Sequence, residues 1–272
     1  MTVSQGPESQ EALVAQFRER LVRDGLTHEG DTMAPDDFTL MRFLRARSFD
    51  TEAATTMWIK CQAWRKSVDG VGIDEIYKQM DPYDFPERRE VFEYWPMWFH
   101  KTDKAGRPVN IQHYGGVNMS ELYKQITPER FWHYMLATAE SIPRDILPAA
   151  SRKVGRQVDG TFLIVDLKGF SLSQFWQMKD IARDAFQMSQ DNFPEVSSKF
   201  YIINAPSSFT IIWSFVKRWL SKNTVDKMDI LGSEYHPVLL EHIDAESLPA
   251  SLGGKCECKD VGGCKWIQID RE

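Results

Sequence analysis

A predicted strand followed closely by an unusually apolar helix is the feature of this sequence that most constrains its fold. Residues 200–203 form an apolar run of strand length, an Asn-Ala-Pro turn follows at 204–206, and a helical pattern then covers 208–220. The polar residues of that helix form one narrow stripe, which consists of Thr210, Ser214, Lys217 and Ser221. A surface helix usually buries an apolar stripe of about 100°, whereas here most of the remaining circumference is apolar. The helix therefore needs apolar contacts on both flanks, with the domain core on one side and a second protein layer, an apolar ligand or a membrane on the other.

Strand-length apolar runs alternate with helical patterns through the rest of the chain. The runs lie at 98–101, 109–113, 161–167, 200–203 and 228–231, and helical patterns lie at 128–140, 172–192, 208–220 and 234–242. Such alternation predicts an α/β sheet with at least some parallel pairing.

The N-terminal part of the chain has a helical period only. Amphipathic patterns at 9–27, at 38–46 and from Asp50 onwards predict a three-helix bundle. The apolar face of the first helix is predicted to consist of Leu13, Phe17, Leu21 and Val22. Residues 1–8 are predicted to be disordered, and residues 81–96, with three prolines, are predicted to be a connection.

Charge and targeting signals limit the classes of function. The net charge of −6 argues against nucleic-acid binding, which needs a basic face. The N-terminus lacks the basic and apolar regions of a signal peptide, and the longest charge-free apolar stretch, 200–216, is interrupted by polar residues. We therefore predict a cytoplasmic protein whose contact with membranes is peripheral.

Three of the four cysteines lie close together near the C-terminus. Cys256, Cys258 and Cys264 are spaced C-x-C-x5-C, while Cys61 stands alone in a predicted helix. Zinc sites usually have four ligands and C-x2-C spacing, and no histidine follows this group. We predict reduced thiols in a glycine-rich loop and no metal, with metal binding as the minor alternative.

Motifs of common catalytic and nucleotide-binding sites are absent. The chain contains no G-x-S-x-G, G-x-G-x-x-G, Walker A or H-E-x-x-H motif. Asp166 ends a predicted strand, where α/β enzymes often place a catalytic group, but together with Lys168 it can equally fix the turn after the strand. Arg42, Arg45 and Arg47 share one helix, and we expect at least one of them to pack against the rest of the protein with a partner such as Glu195 or a ligand phosphate.

A series of ordered motifs resembles a known family. In chain order they are DDFTLMRFLRARSFDTEAA, KTDKAGRPV, VDLKGFSLSQ, FPEVSSKFYIINAPSSF, ILG and LPASLGGKC. This pattern resembles the CRAL-TRIO lipid-binding family, and specifically the fungal secretory phosphatidylinositol-transfer proteins, over about residues 10–265.

The resemblance implies an α/β fold with a mixed sheet that forms the floor of a hydrophobic pocket. It implies an N-terminal helical bundle at 9–75, a lipid-binding domain at 90–256 and a C-terminal extension at 257–272. It also implies that the apolar helix at 209–220 is a gating helix that covers lipid acyl chains when closed and contacts the bilayer when open. Its gating residues are predicted to be Phe209, Ile212, Trp213, Phe215, Val216 and Trp219.

The headgroup-binding residues of that family can be placed by the same resemblance. The phosphatidylinositol site is predicted to contain Arg47, Glu195, Thr224 and Lys227, with Asp226 as a weaker candidate. Arg47 and Glu195 are expected to pair, or to form an interdomain salt bridge only. The choline subsite of the founding member has hydroxyls at positions that align with Thr161, Leu163, Phe99, Asn110 and Ala139. Because most of these side chains lack a hydroxyl, we predict that choline-phosphate recognition is altered.

The resemblance favours a non-enzymatic, monomeric carrier with no catalytic residues and no cofactor other than bound phospholipid. Its partners are expected to be phosphatidylinositol, a membrane surface of the Golgi, endosomes or endoplasmic reticulum, and phosphoinositide kinases by functional coupling. Two other classes stay open. One is a carrier of a sterol, squalene or haem, where the His113-Tyr114 and His133-Tyr134 pairs would matter. The other is a hydrolase that uses Asp166.

Overall fold

The computed structural model describes residues 9–259 and 263–264. Residues 1–8, predicted to be disordered, lie outside the described part, as does most of the predicted C-terminal extension.

Three capped helices form the N-terminal bundle: α1 (Gln10–Arg23), α2 (Asp37–Ala46) and α3 (Thr51–Ser67). The capping residues are Ser9, Asp36 and Asp50 respectively, and the side chain of each accepts a hydrogen bond from a backbone N–H of the first turn, which satisfies a free donor there. The bundle core includes Phe17, Leu21, Leu40, Phe43, Leu44 and Trp58. One prediction for α1 is wrong: Val22 is exposed, and Val14 takes its place in the core because it lies one turn before Phe17 and Arg18.

Several short helices, which the sequence patterns did not indicate, lie between the bundle and the sheet and within the α/β lobe. They are α4 (Ile73–Gln79), α5 (Arg88–Tyr94), α6 (Met119–Gln125) and α8 (Leu147–Val154). The predicted connection at 81–96 contains one helix, α5, that the sequence pattern did not indicate. Helices of this length have little stability alone, and α5 is held in place by the burial of Val91 and Phe92. The long α7 (Pro128–Ser141) passes through a π-helical turn at Ile142–Ile146 into α8.

A mixed five-stranded sheet has the strand order β1-β2-β3-β4-β5. The strands are β1 (Met97–Thr102), β2 (Pro108–His113), β3 (Thr161–Asp166), β4 (Ser197–Ile203) and β5 (Met228–Ile230). β1 and β2 form an antiparallel hairpin, and every other neighbouring pair is parallel. All five predicted strands are confirmed, although β4 begins three residues earlier than its apolar run.

The two faces of the sheet have different cover. On one face, Ile111, Phe162, Ile164 and Ile203 pack with α12 (His236–His242). On the other face, Leu163, Val165, Phe200 and Ile202 point toward α9 (Leu172–Asn192) and α10 (Phe209–Val216). Because side chains alternate along a strand, the central strands carry apolar residues on both faces, and β3 is buried at every position.

The predicted helix at 209–220 is shorter than expected. α10 ends at Val216, and the amides of Arg218 and Trp219 bond to carbonyls three residues earlier, so the chain tightens into turns. Ser221 then caps a separate short helix, α11 (Lys222–Val225), by accepting a bond from the Thr224 amide. None of the described helices is long and apolar enough to cross a membrane.

A buried ion pair joins the bundle to the α/β lobe. Arg65 of α3 lies 2.5 Å from Glu140 of α7, and their side chains are 3% and 1% exposed. Glu140 also bonds to Arg144, and Arg65 bonds to Thr32. Removing one partner of such a pair leaves an uncompensated buried charge, so this network fixes how α3 lies against α7.

Candidate functional site

A large cavity of about 550 Å³ lies over the sheet face that packs toward α9. Its walls come from β1–β4, α7 and α9, with the end of α2 and the segment around α11 at one side. Apolar wall residues include Met97, Trp98, Leu163, Phe200, Met178 and Phe186. A cavity of this size and lining is typical of a site for an apolar or amphiphilic ligand.

Four of the predicted headgroup residues line this cavity. Arg47 ends α2, Glu195 lies between α9 and β4, Thr224 is in α11, and Lys227 precedes β5. Three separate parts of the fold therefore bring cationic, anionic and hydroxyl groups to one cavity. Such groups can bond to phosphate and sugar hydroxyl oxygens.

The ion pair in this group differs from the expected one. Lys227 Nζ lies 2.5 Å from Glu195 Oε2, with 29% and 17% of the two side chains exposed. Arg47 donates instead to the carbonyl of its neighbour Ala46, at 3.0 Å. The expected Arg47–Glu195 pair is therefore not formed, because Lys227 occupies the carboxylate. No carboxylate of the described residues lies within ion-pair distance of Arg47, which is one of the residues that line the cavity.

The other two arginines of α2 have partners within the protein. Arg45 pairs with Asp159 at 2.7 Å, and Arg42 donates to Thr39 at 3.0 Å. The expectation that at least one arginine of α2 packs against the rest of the protein is confirmed by Arg45, with Asp159 rather than Glu195 as the partner.

Glu195 has an unusual backbone conformation. Its φ is 59°, in the left-handed region that non-glycine residues seldom adopt. The preceding Pro194 fixes the approach of the chain, and Val196 and Ser197 begin the path into β4. This turn directs the carboxylate of Glu195 toward Lys227 rather than along the strand.

Gln190 is a polar wall residue that the sequence did not single out. Its amide accepts from the Ser221 N–H at 2.6 Å and donates to the Trp219 carbonyl at 2.8 Å. It thereby joins α9 to the turn after α10. Asn223 and Ser221 also line the cavity, and Asn223 donates to the Arg45 carbonyl at 3.3 Å. Only contacts across the fold identify these residues, since each occurs in an ordinary polar segment.

Asp226 is not among the residues that line the cavity. Its side chain is 60% exposed and lies 3.7 Å from Lys222, one turn away. Its neighbours in the chain, Thr224 and Lys227, do line the cavity.

α10 is packed against the sheet in this structure. Phe209 and Ile212 are buried, while Trp213, Val216 and the following Trp219 are partly buried against the same core. Under the helix lies a small apolar cavity of about 50 Å³, whose wall shares Met178, Phe200 and Trp219 with the large one. α10 therefore covers one side of a continuous apolar region.

The outer surface of α10 is also apolar in part. Ile211 is 50% exposed and Phe215 is 38% exposed, and Trp176 of α9, 48% exposed, stacks edge-on against Phe215 at 5.4 Å. Lys217 and Arg218 follow on the exposed surface. The four predicted polar-stripe residues are exposed as expected, but they share the outer surface with these large apolar side chains.

All five positions of the aligned choline subsite line the cavity. Thr161 Oγ1 already donates to the Val196 carbonyl at 3.1 Å, and Asn110 bonds to Trp98 and Gln112. Leu163, Phe99 and Ala139 offer no polar group. The indole N–H of Trp98 is buried without a hydrogen-bond partner among the described residues, so it is a donor that the sequence comparison did not consider.

Asp166 holds together the ends of three strands. Its carboxylate accepts from the Lys168 amide at 2.9 Å and from Asn204 Nδ2 at 2.7 Å, and it lies 3.2 Å from His113 Nδ1. Burial alone would raise the pKa of Asp166, but the hydrogen bonds from His113, Asn204 and the Lys168 amide lower it overall. The carboxylate is thus fully engaged in fixing the turn after β3.

The histidines considered for haem binding face other partners. His113 contacts Asp166, and His133 lies 3.2 Å from Asp69. The described residues that line the large cavity include no histidine. Neither His-Tyr pair therefore presents an imidazole to a ligand there.

Comparison with known proteins agrees with this architecture. Residues 92–254 match the CRAL/TRIO domain, and residues 14–60 match the CRAL/TRIO N-terminal domain. The Sec14 cytosolic factor of Schizosaccharomyces pombe is 40% identical over 236 residues, which cover 87% of this chain and 80% of that protein. The SEC14 cytosolic factor of Kluyveromyces lactis is 41% identical over 254 residues, covering 93% and 81%.

A plant relative and a solved structure extend the comparison. The phosphatidylinositol/phosphatidylcholine transfer protein SFH4 of Arabidopsis thaliana is 37% identical over 255 residues, which cover 92% of this chain but 40% of that longer protein. The crystal structure of Sfh5 superposes with a TM-score of 0.66 over 100% of this chain and 94% of that one, at 14% identity, and so supports the fold alone. Because both family domains and most of the length of the fungal relatives are matched, this chain belongs to the CRAL/TRIO family.

Proposed function

We propose that this protein binds phosphatidylinositol in the large cavity and transfers it between membranes. The observation that carries the proposal is the composition of one cavity. Its walls over the sheet are apolar, and Arg47, Glu195, Thr224 and Lys227 line it as well. A lipid with two acyl chains and an anionic, hydroxyl-rich headgroup needs both kinds of surface. Relatives that carry the name phosphatidylinositol/phosphatidylcholine transfer protein support the same ligand class.

The position of α10 supports its role as the gating helix. Each buried acyl CH₂ stabilises a bound lipid by about 0.8 kcal/mol, so a two-chain lipid leaves the cavity slowly unless its chains enter another apolar phase. When α10 moves off the sheet, Phe209 and Ile212 lose their cover. A bilayer can receive these side chains together with the exposed Ile211 and Phe215, and Lys217 and Arg218 then lie at the depth of the headgroups. Exchange on this route needs a membrane and no ATP.

The proposal describes a carrier without catalytic residues and with bound phospholipid in place of a cofactor. Its setting is the cytoplasm, with transient contact to Golgi, endosomal or endoplasmic reticulum membranes. Functional coupling to phosphoinositide kinases and a monomeric state belong to the same proposal. The names of the relatives as cytosolic factors support the cytoplasmic setting.

Two measurements test the proposal. Lipids extracted from the full-length protein, purified from cells without detergent, are identified by mass spectrometry, and phosphatidylinositol should be the main phospholipid. Purified protein should then move labelled phosphatidylinositol from donor to acceptor vesicles. Retention of a sterol, squalene or haem in place of phospholipid, or absence of transfer by folded protein, would refute it.

A further inference from the structure

The three C-terminal cysteines lie next to a histidine of β1, the first strand of the α/β lobe. One donor atom each from His100, Cys256, Cys258 and Cys264 lies within 4.8 Å of all the others. The Sγ atoms of Cys256 and Cys258 are 3.3 Å apart, and those of Cys258 and Cys264 are 3.4 Å apart. All three thiols are free. Four soft or borderline donors thus surround one point, which is distinct from the lipid cavity because none of them lines it.

His100 is buried beside these thiols. It is 1% exposed, and neither of its ring nitrogens has a partner at hydrogen-bond geometry among the described residues. A buried polar group without a partner costs about 1–3 kcal/mol, so a partner of another kind is expected. A neutral imidazole is the form that binds a metal, through the lone pair of one ring nitrogen.

The backbone on both sides is shaped to bring these side chains together. The β1–β2 register shifts between Phe99 and Thr102, and Lys101 takes a φ of 49°. This β-bulge leaves His100 buried while Lys101 stays exposed. The exposed Lys101 is the residue next to His100, and its ammonium donates to the Glu246 carbonyl at 2.8 Å.

The cysteine loop is held equally closely. The Cys256 amide donates to the Leu248 carbonyl at 3.0 Å, and the Cys256 carbonyl accepts from Ala250 at 2.8 Å. A Cβ on Gly254 would lie 1.9 Å from the Leu248 carbonyl oxygen, so only glycine fits there. Cys258 has a φ of 47°, and its carbonyl accepts from Gly263 at 2.9 Å. The strained conformation at Cys258 turns its sulfur back toward Cys256.

We propose that His100, Cys256, Cys258 and Cys264 form a tetrahedral zinc site of the Cys₃His type. Zinc–sulfur bonds of about 2.3 Å imply sulfur–sulfur separations of about 3.8 Å around a tetrahedral ion, so the sulfurs need to move apart by a few tenths of an ångström. Binding converts each thiol to a thiolate and releases its proton to solvent, and the neutral imidazole donates its lone pair. The bound group carries one net negative charge.

A disulfide is the competing arrangement of the same atoms. It would use two of the three thiols, require an oxidant, and leave the third thiol and the buried imidazole without partners. Zinc engages all four groups and needs no redox step. The geometry therefore favours a bound metal. The spacing of the cysteines alone did not indicate a metal site, because the fourth ligand lies on β1, far earlier in the chain.

Four protein ligands leave no open position, so the site is structural and not catalytic. It joins the C-terminal loop to β1, which is the edge strand of the sheet. The ion therefore fixes the loop against the sheet edge, and its removal should lower the melting temperature while phosphatidylinositol transfer at low temperature continues.

The test is metal analysis of the untagged full-length protein by inductively coupled plasma mass spectrometry after dialysis. We expect one zinc ion per chain in the wild type, and its loss in Cys258→Ser and His100→Asn. Cys61→Ser is the matched control, since Cys61 is a buried free cysteine in the N-terminal bundle, and it should retain the ion. Wild-type protein without zinc that also fails to take up added zinc would overturn the proposal.

A second measurement does not depend on how the variants fold. Wild-type protein stripped with a chelator under reducing conditions and titrated with Co²⁺ should show thiolate-to-cobalt charge transfer and the intense visible bands of a tetrahedral ion, saturating at one equivalent. A spectrum of an octahedral ion, or intact-mass analysis that finds a Cys–Cys disulfide in freshly purified protein, would refute the assignment. Zinc retained unchanged in folded His100→Asn would refute His100 as the fourth ligand.

Discussion

Replacing Lys227 by alanine should reduce phosphatidylinositol transfer strongly while the protein remains folded. Lys227 is half-buried in the cavity wall, where its ammonium contacts Glu195. One charge-assisted hydrogen bond to a phosphate or inositol oxygen contributes about 1.5–3 kcal/mol. Its loss corresponds to an affinity about 10- to 150-fold lower at 1.4 kcal/mol per decade.

The Glu195 carboxylate adds to this effect. It is 17% exposed, and without Lys227 it keeps its charge close to the site of an anionic phosphate. We therefore expect Lys227→Ala to fall at the strong end of the range. The double variant Lys227→Ala, Glu195→Gln separates the two contributions. If Lys227 serves only to neutralise Glu195, transfer should return in the double variant; if Lys227 contacts the headgroup, transfer should stay low.

The assay is transfer of labelled phosphatidylinositol between vesicles, with thermal unfolding as the check on folding. Lys222→Ala is the matched control, because Lys222 lies five residues earlier, is 89% exposed and, among the described residues, pairs with Asp226 alone. Its transfer rate should equal that of the wild type. Equal rates for wild-type and folded Lys227→Ala protein would show that Lys227 is not part of the headgroup site.

Three further predictions concern the gating helix, ligand choice and pH. Trp213→Asp should weaken vesicle binding or lipid retention, because a charge on the covered side of α10 must lose its hydration in either position of the helix. Ser214→Asp, on the exposed side, is the control. Equal behaviour of both variants in co-sedimentation and lipid loading would contradict a gating role for α10. Transfer of phosphatidylinositol should exceed that of phosphatidylcholine by about a hundredfold. Two or three hydrogen-bond donors to the choline-phosphate are missing, as at Leu163, and each missing donor costs about 1–3 kcal/mol. Comparable rates in side-by-side vesicle assays would mean that other groups, such as the Trp98 indole N–H, bind the choline-phosphate. Because the folded-state pKa of Asp166 is lowered, the contribution of its carboxylate to stability is present above the ordinary aspartate pKa and is lost as pH falls through the folded value. The Asp166→Asn variant should therefore unfold at a lower temperature at neutral pH and lose less stability on acidification. Identical pH profiles of the melting temperature for wild type and variant would refute this.

The local elements of this fold could be predicted because each leaves a periodic pattern. All five strands of the sheet and the helices α7, α9 and α12 lie close to their predicted bounds, since they bury side chains with a regular period. The short helices α4, α5, α6 and α8 could not be predicted, because helices of seven or eight residues depend on tertiary packing more than on their own sequence. The sequence pattern also did not indicate that α10 ends at Val216. Ser221 caps the separate helix α11 through its side chain, so residues 217–221 do not extend α10.

The composition of the lipid cavity was only partly predictable. The resemblance to relatives placed Arg47, Glu195, Thr224 and Lys227 in one site, and the fold brings all four to one cavity. Whether they contact a headgroup stays a prediction. Residue types alone did not indicate that Glu195 would pair with Lys227 rather than with Arg47, because the choice depends on where the end of α2 and the residue before β5 lie relative to the turn before β4.

The sequence by itself determined the class of this protein: an N-terminal helical bundle, a mixed α/β sheet and one helix with too much apolar surface for an ordinary surface position. These properties depend on interactions between residues that are near in the chain, and period and motif order record them. The tertiary structure alone decided which polar groups meet. His100 reaches the three cysteines through a β-bulge on an edge strand, and Gln190 joins α9 to the turn after α10. Such contacts depend on strand order and helix packing across distant segments, and no local pattern carries that information.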